Sequence, residues 1–520
     1  VNGDDPVACV QAVRLAAAYR ATFGKDVLID LVSYRRHGHN ETDEPAFTQP
    51  MLYKLVRAHK TPREVWGERL TNAGVVTADD VQRVEREVMT SLEQIQSGAR
   101  PDTSGAPSAV ESSSVATDTG VAADELRDIN EALLQWPESF KANSRVARTL
   151  ARRRDAMGDA GGIDWGHAEA LALGSLLRDG TSVRLTGQDV ERGTFSHRQD
   201  VLHDSETGAE YMPLKQLSDA KGAIEIYNSP LSETAVLGFE YGYSVVAGDT
   251  LVMWEAQYGD FANVAQTIVD QFISAGRAKW GQDSALTMLL PHGYEGGGPE
   301  HSSARLERYL QLCAEGNMRV AYPSTPAQYF HILRRQAKSS ERRPLVLMQP
   351  KSLLRMPEAA SKLSDIAAGS AFQRVIDDAA ASPRRERVKR IVFCTGKIYY
   401  DLLERRTREA NEAIALVRVE ELYPWPHDDI ARIVDSYPAI EDVVWAQEEP
   451  KNMGAWSFVS PRLRVSTGNA IPVRYIGRPE RASPAEGYSE VHKTEQERII
   501  NEVFTLPQPA QSGRARTAAR

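Results

Sequence analysis

Cysteine is nearly absent from this chain: three residues, Cys9, Cys313 and Cys394, lie far apart among 520. So few, in odd number, exclude a disulfide framework and fit a reducing compartment, with the cytoplasm preferred and a mitochondrial matrix the alternative. Long apolar runs are also missing. No stretch approaches the roughly 18 apolar residues a membrane helix needs, and the start lacks the basic-then-apolar pattern of a secretory signal. Nor is there a surplus of one charge, since 62 Lys and Arg face 71 Asp and Glu for a net charge of -9. Nucleic acid is therefore not an indicated partner, and runs such as Arg152-Arg153-Arg154 read as solvated faces. Zinc-type Cys/His spacing, a Walker loop and a Gly-x-Ser-x-Gly elbow are all missing, which leaves a conventional hydrolase or nucleotide kinase unsupported.

What is present reads as α/β throughout. The chain opens on Val1 rather than Met, with a turn, Asn2-Gly3-Asp4-Asp5-Pro6, running straight into an amphipathic helix. That start reads as a fragment with a strand removed just upstream. Residues 1–95 are expected to hold the helix Val7 to Phe23, an apolar strand Val27 to Val32, a polar loop Arg35 to Pro50 and charged helices from Met51 to Ile95. Residues 96–122 collapse to small and polar types and read as a flexible linker. Helices fill 123–160. Over 161–365, short apolar runs alternate with helical patterns, including a helix Ala262 to Trp280 and a strand Ala285 to Leu290. Such alternation implies parallel strands flanked by helices. A third unit covers 366–506, and the tail 507–520, poor in apolar residues, is expected to be disordered.

The chemistry gathers in loops that follow strands, where open α/β sheets bind ligands. Leu289 to Arg305 holds four glycines, two prolines, His292 and His301, and fits either a ligand loop or a flexible surface turn. Tyr34 to Glu41 places Arg35, Arg36, His37 and His39 at a strand end. It suits an anion such as phosphate, or a charged turn. Thr186 to Phe195, containing Gln188, follows another strand. Ser232 and Glu233 open a helix, where Ser232 would cap and Glu233 would complement the dipole. Trp254 to Phe261 ends a further strand with polar and aromatic groups, among them Tyr258.

Read together and in order, these motifs resemble one family. From Asn2 to about Phe504 the chain is similar to the C-terminal half of the thiamine-diphosphate-dependent first component of the 2-oxoglutarate dehydrogenase complex. The resemblance rests on Tyr34-Arg35-Arg36, Gly38-His39-Asn40-Glu41, Gly187-Gln188-Asp189, Leu231-Ser232-Glu233 and Trp254-Glu255-Ala256-Gln257. It continues through Pro291-His292-Gly293-Tyr294-Glu295-Gly296, Gly298-Pro299-Glu300-His301-Ser302-Ser303, Pro350-Lys351-Ser352 and Gln447-Glu448-Glu449-Pro450. It implies a transketolase-like thiamine-diphosphate-binding fold, truncated at the N-terminus: the end of a diphosphate-binding domain (1–95), a pyrimidine-binding domain (161–365) and a C-terminal domain (366–506).

By the same resemblance Glu233 binds the cofactor's aminopyrimidine and drives its activation, and Tyr258 packs on that ring where the family usually has Phe. His39 lies near the diphosphate and reacting carbon, while Gln188 and His301 face the substrate. His301 is the best candidate for proton transfer or carboxylate contact. The implied reaction is oxidative decarboxylation of 2-oxoglutarate through a thiamine-bound enamine, with succinyl transfer to the lipoyl group of a dihydrolipoyl succinyltransferase. A homodimer and bound magnesium are further implications; the magnesium ligands are expected upstream of Val1, and none is assigned here. Two departures stand out: Gln199-Asp200 where the family commonly has His-Ala, and Gly297 where Gln is usual. The competing readings are a silent assembly fragment, inactive without the metal site, and a 2-oxoadipate-type dehydrogenase component. The 520-residue chain alone is expected to bind cofactor weakly.

Overall fold

The computed structural model describes residues 1–40, 42–98, 118–469 and 471–506. The tail 507–520 and most of the linker lie outside that range. The linker's described ends are structured: the helix Ala78–Gly98 runs into it, and Val121 is buried and bridged to Ala367. The chain divides into two compact units, one ending and the other beginning between Gly98 and Asp118 among the described residues.

The first unit is helical. Asp5 caps the helix Pro6–Phe23 by accepting from Val7 N and Ala8 N, and Gly24, at φ 59°, ends it in the left-handed region. Helices Pro50–Ala58, Pro62–Asn72 and Ala78–Gly98 follow, the second opened by a capping box between Thr61 and Glu64. The strand expected over Val27 to Val32 does not form. Among the described residues this stretch meets another extended segment only where Val1 to Gly3 bond Asp30 and Val32 around the Asn2–Val32 bridge, and Leu28 is 88% exposed. A buried strand needs neighbours to satisfy its backbone and cover its faces, and the described residues of this unit supply just that short contact.

In the second unit β1 (Ser182–Gly187), β4 (Ile224–Asn228), β5 (Thr250–Glu255), β6 (Thr287–Pro291), β7 (Arg319–Ala321) and β8 (Leu345–Gln349) form a parallel sheet, after the small hairpin β2 (Leu202–His203) and β3 (Glu210–Tyr211) is set aside. The order is β12-β7-β8-β6-β5-β1-β4, with β12 (Glu421–Tyr423) antiparallel at one edge. A second sheet, β14-β13-β10-β11-β9, joins β9 (Val375–Ile376), β10 (Arg390–Cys394), β11 (Ile414–Val419), β13 (Asp442–Pro450) and β14 (Val473–Arg478), all parallel except β9. Every residue of β6, β8, β10 and β13 is buried, which suits the apolar runs of β6 and β8, whereas β10 and β13 also bury a charged pair, Arg390 with Asp442. The helix Trp165–Asp179 is buried from Trp165 through Leu177 and packs against the helix Pro326–Lys338. Asp164 and Thr325 cap the two.

The helix expected from Ala262 to Trp280 is broken into 3-10 (Asp260–Ala265), α (Gln266–Ile268), π (Val269–Ile273) and α (Gly276–Trp280) pieces. Asn317 Nδ2 takes the Ser274 carbonyl at 3.0 Å, and a Cβ at Gly276 would stand 2.1 Å from the Tyr241 hydroxyl. The Asn317 bond comes from distant sequence and takes the Ser274 carbonyl away from helical pairing, while glycine at 276 leaves room for the Tyr241 hydroxyl.

Candidate active site

Within the second unit the carboxyl ends of β1, β4, β5, β6 and β8 deliver the loops singled out in the sequence. Gly187 closes β1 opposite Glu255 at the end of β5. A Cβ there would lie 2.3 Å from the Glu255 carbonyl, and φ is 149°, so only glycine lets these two strand ends approach. Gly259 is required in the same way, its missing Cβ 1.9 Å from the Pro291 carbonyl. Asp189 (φ 58°) and Tyr258 (φ 51°) follow these strands in left-handed conformations costly for such residues. Strain of this kind collects at functional sites.

Glu233 begins the helix Glu233–Val246 and is 7% exposed. Gln188, from the loop after β1, donates its side-chain amide to Glu233 Oε1. Two residues predicted for one site are thus in contact. Ser232 occupies the N-cap position, but its hydroxyl makes no capping bond; its φ of -161° and ψ of 80° depart from the usual cap geometry.

Tyr258 and His301 also meet. Their rings pack edge-on with centroids 4.4 Å apart, and Phe195 packs edge-on to Tyr258 at 5.5 Å. His301 lies in a short 3-10 turn, Pro299–His301, and is exposed. Lys351, just after β8, places Nζ 5.9 Å from the Tyr258 ring centre and donates to the His301 carbonyl. Asp260 is buried beside this group, with Arg305 Nε 3.8 Å away. Burial raises its carboxyl above the ordinary range against the opposing pull of Arg305. Gly297 leaves room beside His301, since a Cβ there would sit 3.4 Å from the His301 Cβ.

The loop after β1 is anchored from below by Arg198. Its guanidinium, 1% exposed, reaches Glu169 at 2.6 Å, Glu255 at 2.6 Å and the Val190 carbonyl at 3.1 Å. Tyr329 donates to the other oxygen of Glu169. Burial opposes ionisation of Glu169, but Arg198 outweighs it and holds that carboxyl below its usual value. His197 is pushed down to about 4 by burial and by Arg198. Asp200, one of the departures from the family, is buried with Oδ2 unpartnered. Burial and the Glu169 carboxylate raise it to about 7.

His292, fully buried, fixes the root of the glycine-rich loop. Its Nδ1 accepts from Ala304 N at 3.0 Å, so Nε2 carries the proton that bonds Glu449 at 2.9 Å. Burial works against the Glu449 charge, yet this bond keeps the carboxyl below its ordinary value.

His39 belongs to the first unit, where its backbone N–H bonds Asp43 Oδ2 at 2.7 Å in an exposed turn. One set of side chains among the described residues has metal-ligand spacing: Glu191, His203 and Glu210, with ligand atoms within 4.8 Å, two of the three residues exposed. Arg198, Asp260 and Lys351 are not among the site residues expected from the sequence, and His292 is expected only as a member of the ligand loop. Lys351, His292 and Glu449 stood inside quoted motifs, but nothing in a linear motif says which residue meets which.

Three family models match consecutive stretches. Residues 1–107 match "Dehydrogenase E1 component", 161–357 match "Transketolase, pyrimidine binding domain", and 360–504 match "2-oxoglutarate dehydrogenase C-terminal". Proteins named 2-oxoglutarate dehydrogenase E1 component from an Exiguobacterium and a Geobacillus species are each 52% identical to this chain, over 514 and 515 residues. The Bacillus subtilis protein of that name is 50% identical over 516 residues. Each alignment covers 97% of this chain and 54–55% of the relative, so the chain spans about half the length of the curated relatives it matches. With three such models in order and half of its residues shared with these proteins along nearly its whole length, the chain belongs to the 2-oxoglutarate dehydrogenase E1 family.

Proposed function

We propose that this chain supplies the pyrimidine-binding side of a thiamine-diphosphate site that decarboxylates 2-oxoglutarate and passes the succinyl unit to a lipoyl group of a dihydrolipoyl succinyltransferase. The observation that carries the reading is Glu233: a buried carboxylate at a helix start, beyond the carboxyl ends of a parallel sheet, whose one side-chain partner among the described residues is Gln188 on Oε1. Burying a carboxylate so sparsely bonded is costly unless a ligand completes its shell. An aminopyrimidine, with ring nitrogen and exocyclic amine, fits that need, and the aromatic ring of Tyr258 beside His301 suits a flat heterocycle.

When bound, thiamine diphosphate supplies a nucleophilic carbon and an electron sink for the departing carboxylate. The protein's part is electrostatic and positional. Glu233 holds a proton at the pyrimidine nitrogen, which a neutral amide would do poorly. Gln188 orients Glu233 and offers a polar edge to the substrate. His301 presents an imidazole from the loop after β6 for proton transfer or contact with the 2-oxo acid. Arg198 keeps the Gln188 loop on its strand ends. His39, in the first unit, is proposed by the family resemblance alone to serve the diphosphate, and the magnesium ligands are not assigned here. The same reading divides the chain at 1–95, 161–365 and 366–506, takes the active form as a homodimer, and places it in the cytoplasm, in keeping with three free cysteines.

The test is the Glu233→Gln variant of the whole protein in a 2-oxoglutarate-dependent ferricyanide assay. Loss of about 100-fold or more with an unchanged fold supports the assignment, because one positioned acid–base group contributes on that order. Unchanged turnover overturns it.

A further inference from the structure

The loop after β6 is rich in glycine and has little stiffness of its own, yet it carries His301. The imidazole makes no side-chain hydrogen bond among the described residues; ring packing on Tyr258 and its own main chain hold it. Several of the loop's bonds are internal: Gly293 N to Ser302 O at 2.9 Å, Ser302 Oγ to Gly298 O at 2.7 Å and His301 N to Gly298 O at 3.3 Å. Besides Glu449 on His292 Nε2 and the Tyr322 hydroxyl on the His292 carbonyl, which hold the root, external ties come from the segment that ends β8. The Gln349 carbonyl accepts from His292 N at 2.7 Å, Ser352 N donates to Glu295 Oε1 at 2.7 Å, and Lys351 Nζ donates to the His301 carbonyl. The first two hold the root and the middle; the Lys351 bond holds the end that bears the histidine.

We propose that Lys351 is a positioning residue, whose ammonium fastens the His301 end of the loop to the end of β8 and so sets the imidazole against Tyr258. The charged groups facing Nζ are Glu295 from the loop and Asp260 from the turn after β5, with the Tyr258 ring 5.9 Å away. Both carboxylates favour the ammonium, but desolvation outweighs them and brings it down to about 8. A charged donor bonds a carbonyl about twice as strongly as a neutral one. The tie is therefore strongest below about pH 8 and weakens as the amine loses its proton. For catalysis this deepens the function proposed above, since His301 owes its role to that reading; the tie itself does not depend on it.

Hydrogen-exchange mass spectrometry on the whole protein tests the tie without reference to turnover. In Lys351→Met the segment 292–305 is expected to exchange roughly tenfold faster or more, the size of one lost charge-assisted bond, while β6 and β8 keep their protection. Lys351→Arg, which stays charged, restores the slow exchange. After correction for intrinsic rates, the native loop loses protection through about pH 8, whereas the Arg variant shows no such step. In parallel, the alkaline limb of kcat for 2-oxoglutarate near pH 8 disappears in Lys351→Arg. Unchanged loop exchange in the Met variant overturns the proposal, as does a loss spread evenly over β6 and β8, which marks a general packing role. Loop loosening in a protein that shows no 2-oxoglutarate turnover leaves the tie intact and removes the reaction reading instead.

Discussion

The ring of Tyr258 stands edge-on to the imidazole of His301, 4.4 Å between centroids and inclined by 75°. The two residues leave neighbouring strands, β5 and β6, and meet because Gly259 lets its turn press against the Pro291 carbonyl. An aromatic ring and an imidazole thus share one corner of the sheet, adjoined by Lys351 just after β8.

The aromatic character of that wall is expected to matter more than its hydroxyl. Tyr258→Phe should change the KM for thiamine diphosphate by less than about threefold, whereas Tyr258→Ala should raise it by roughly tenfold or more, the scale of a lost aromatic packing partner. Equal effects of the two variants on cofactor KM would assign the hydroxyl, not the ring, as the binding element.

Arg198 is expected to be among the most sensitive positions for stability. Arg198→Met strands Glu169 and Glu255, both at most 4% exposed, without their shared cation. Breaking a buried ion network from one side costs about 3–5 kcal/mol. Denaturant unfolding followed by fluorescence should show a loss of that order, and Glu169→Gln in the same background should recover part of it. A variant as stable as the parent would mean that the guanidinium is dispensable.

Asp200 should make stability depend on pH with a definite sign. Its folded value of about 7 lies above the unfolded 3.8, so the folded state carries the extra proton between these limits. Stability therefore falls as pH rises from about 4 to about 7 and stays level above. Asp200→Asn removes this penalty: the variant should gain on the order of 1–3 kcal/mol over the parent at about pH 8 and little at about pH 4. Unfolding curves at the two pH values decide the matter, and a variant less stable at pH 8 would refute the raised value.

Much of this architecture was legible in the chain, for reasons that can be stated. The strand expected over Ala285 to Leu290 overlaps β6, Thr287–Pro291, because strands covered on both faces are written as apolar runs. The parallel sheets and flanking helices followed from the alternation of such runs with helical patterns, and the contact of Gln188 with Glu233 fits their placement in one site. What failed were features decided by distant partners. Val27 to Val32 has the composition of a strand but finds no sheet among the described residues of its unit, and the helix after Ala262 is interrupted where Asn317 takes the Ser274 carbonyl. β12 joins the first sheet from a segment that reads as part of the third region. In the site, Arg198 reads as one more basic residue in a loop; its importance comes from Glu169, set in a helix that reads as apolar. His292 likewise gains its fixed tautomer only through its partners in the fold, the Ala304 N–H on Nδ1 and Glu449 on Nε2.

The role of Glu233 is tested most directly by single-turnover and steady-state assay of the whole protein carrying Glu233→Gln, with 2-oxoglutarate as substrate and circular dichroism as the check on folding. A native spectrum with activity reduced by about 100-fold or more is expected, as loss of one positioned acid–base group requires. A native spectrum with undiminished decarboxylation would remove Glu233 from the reaction.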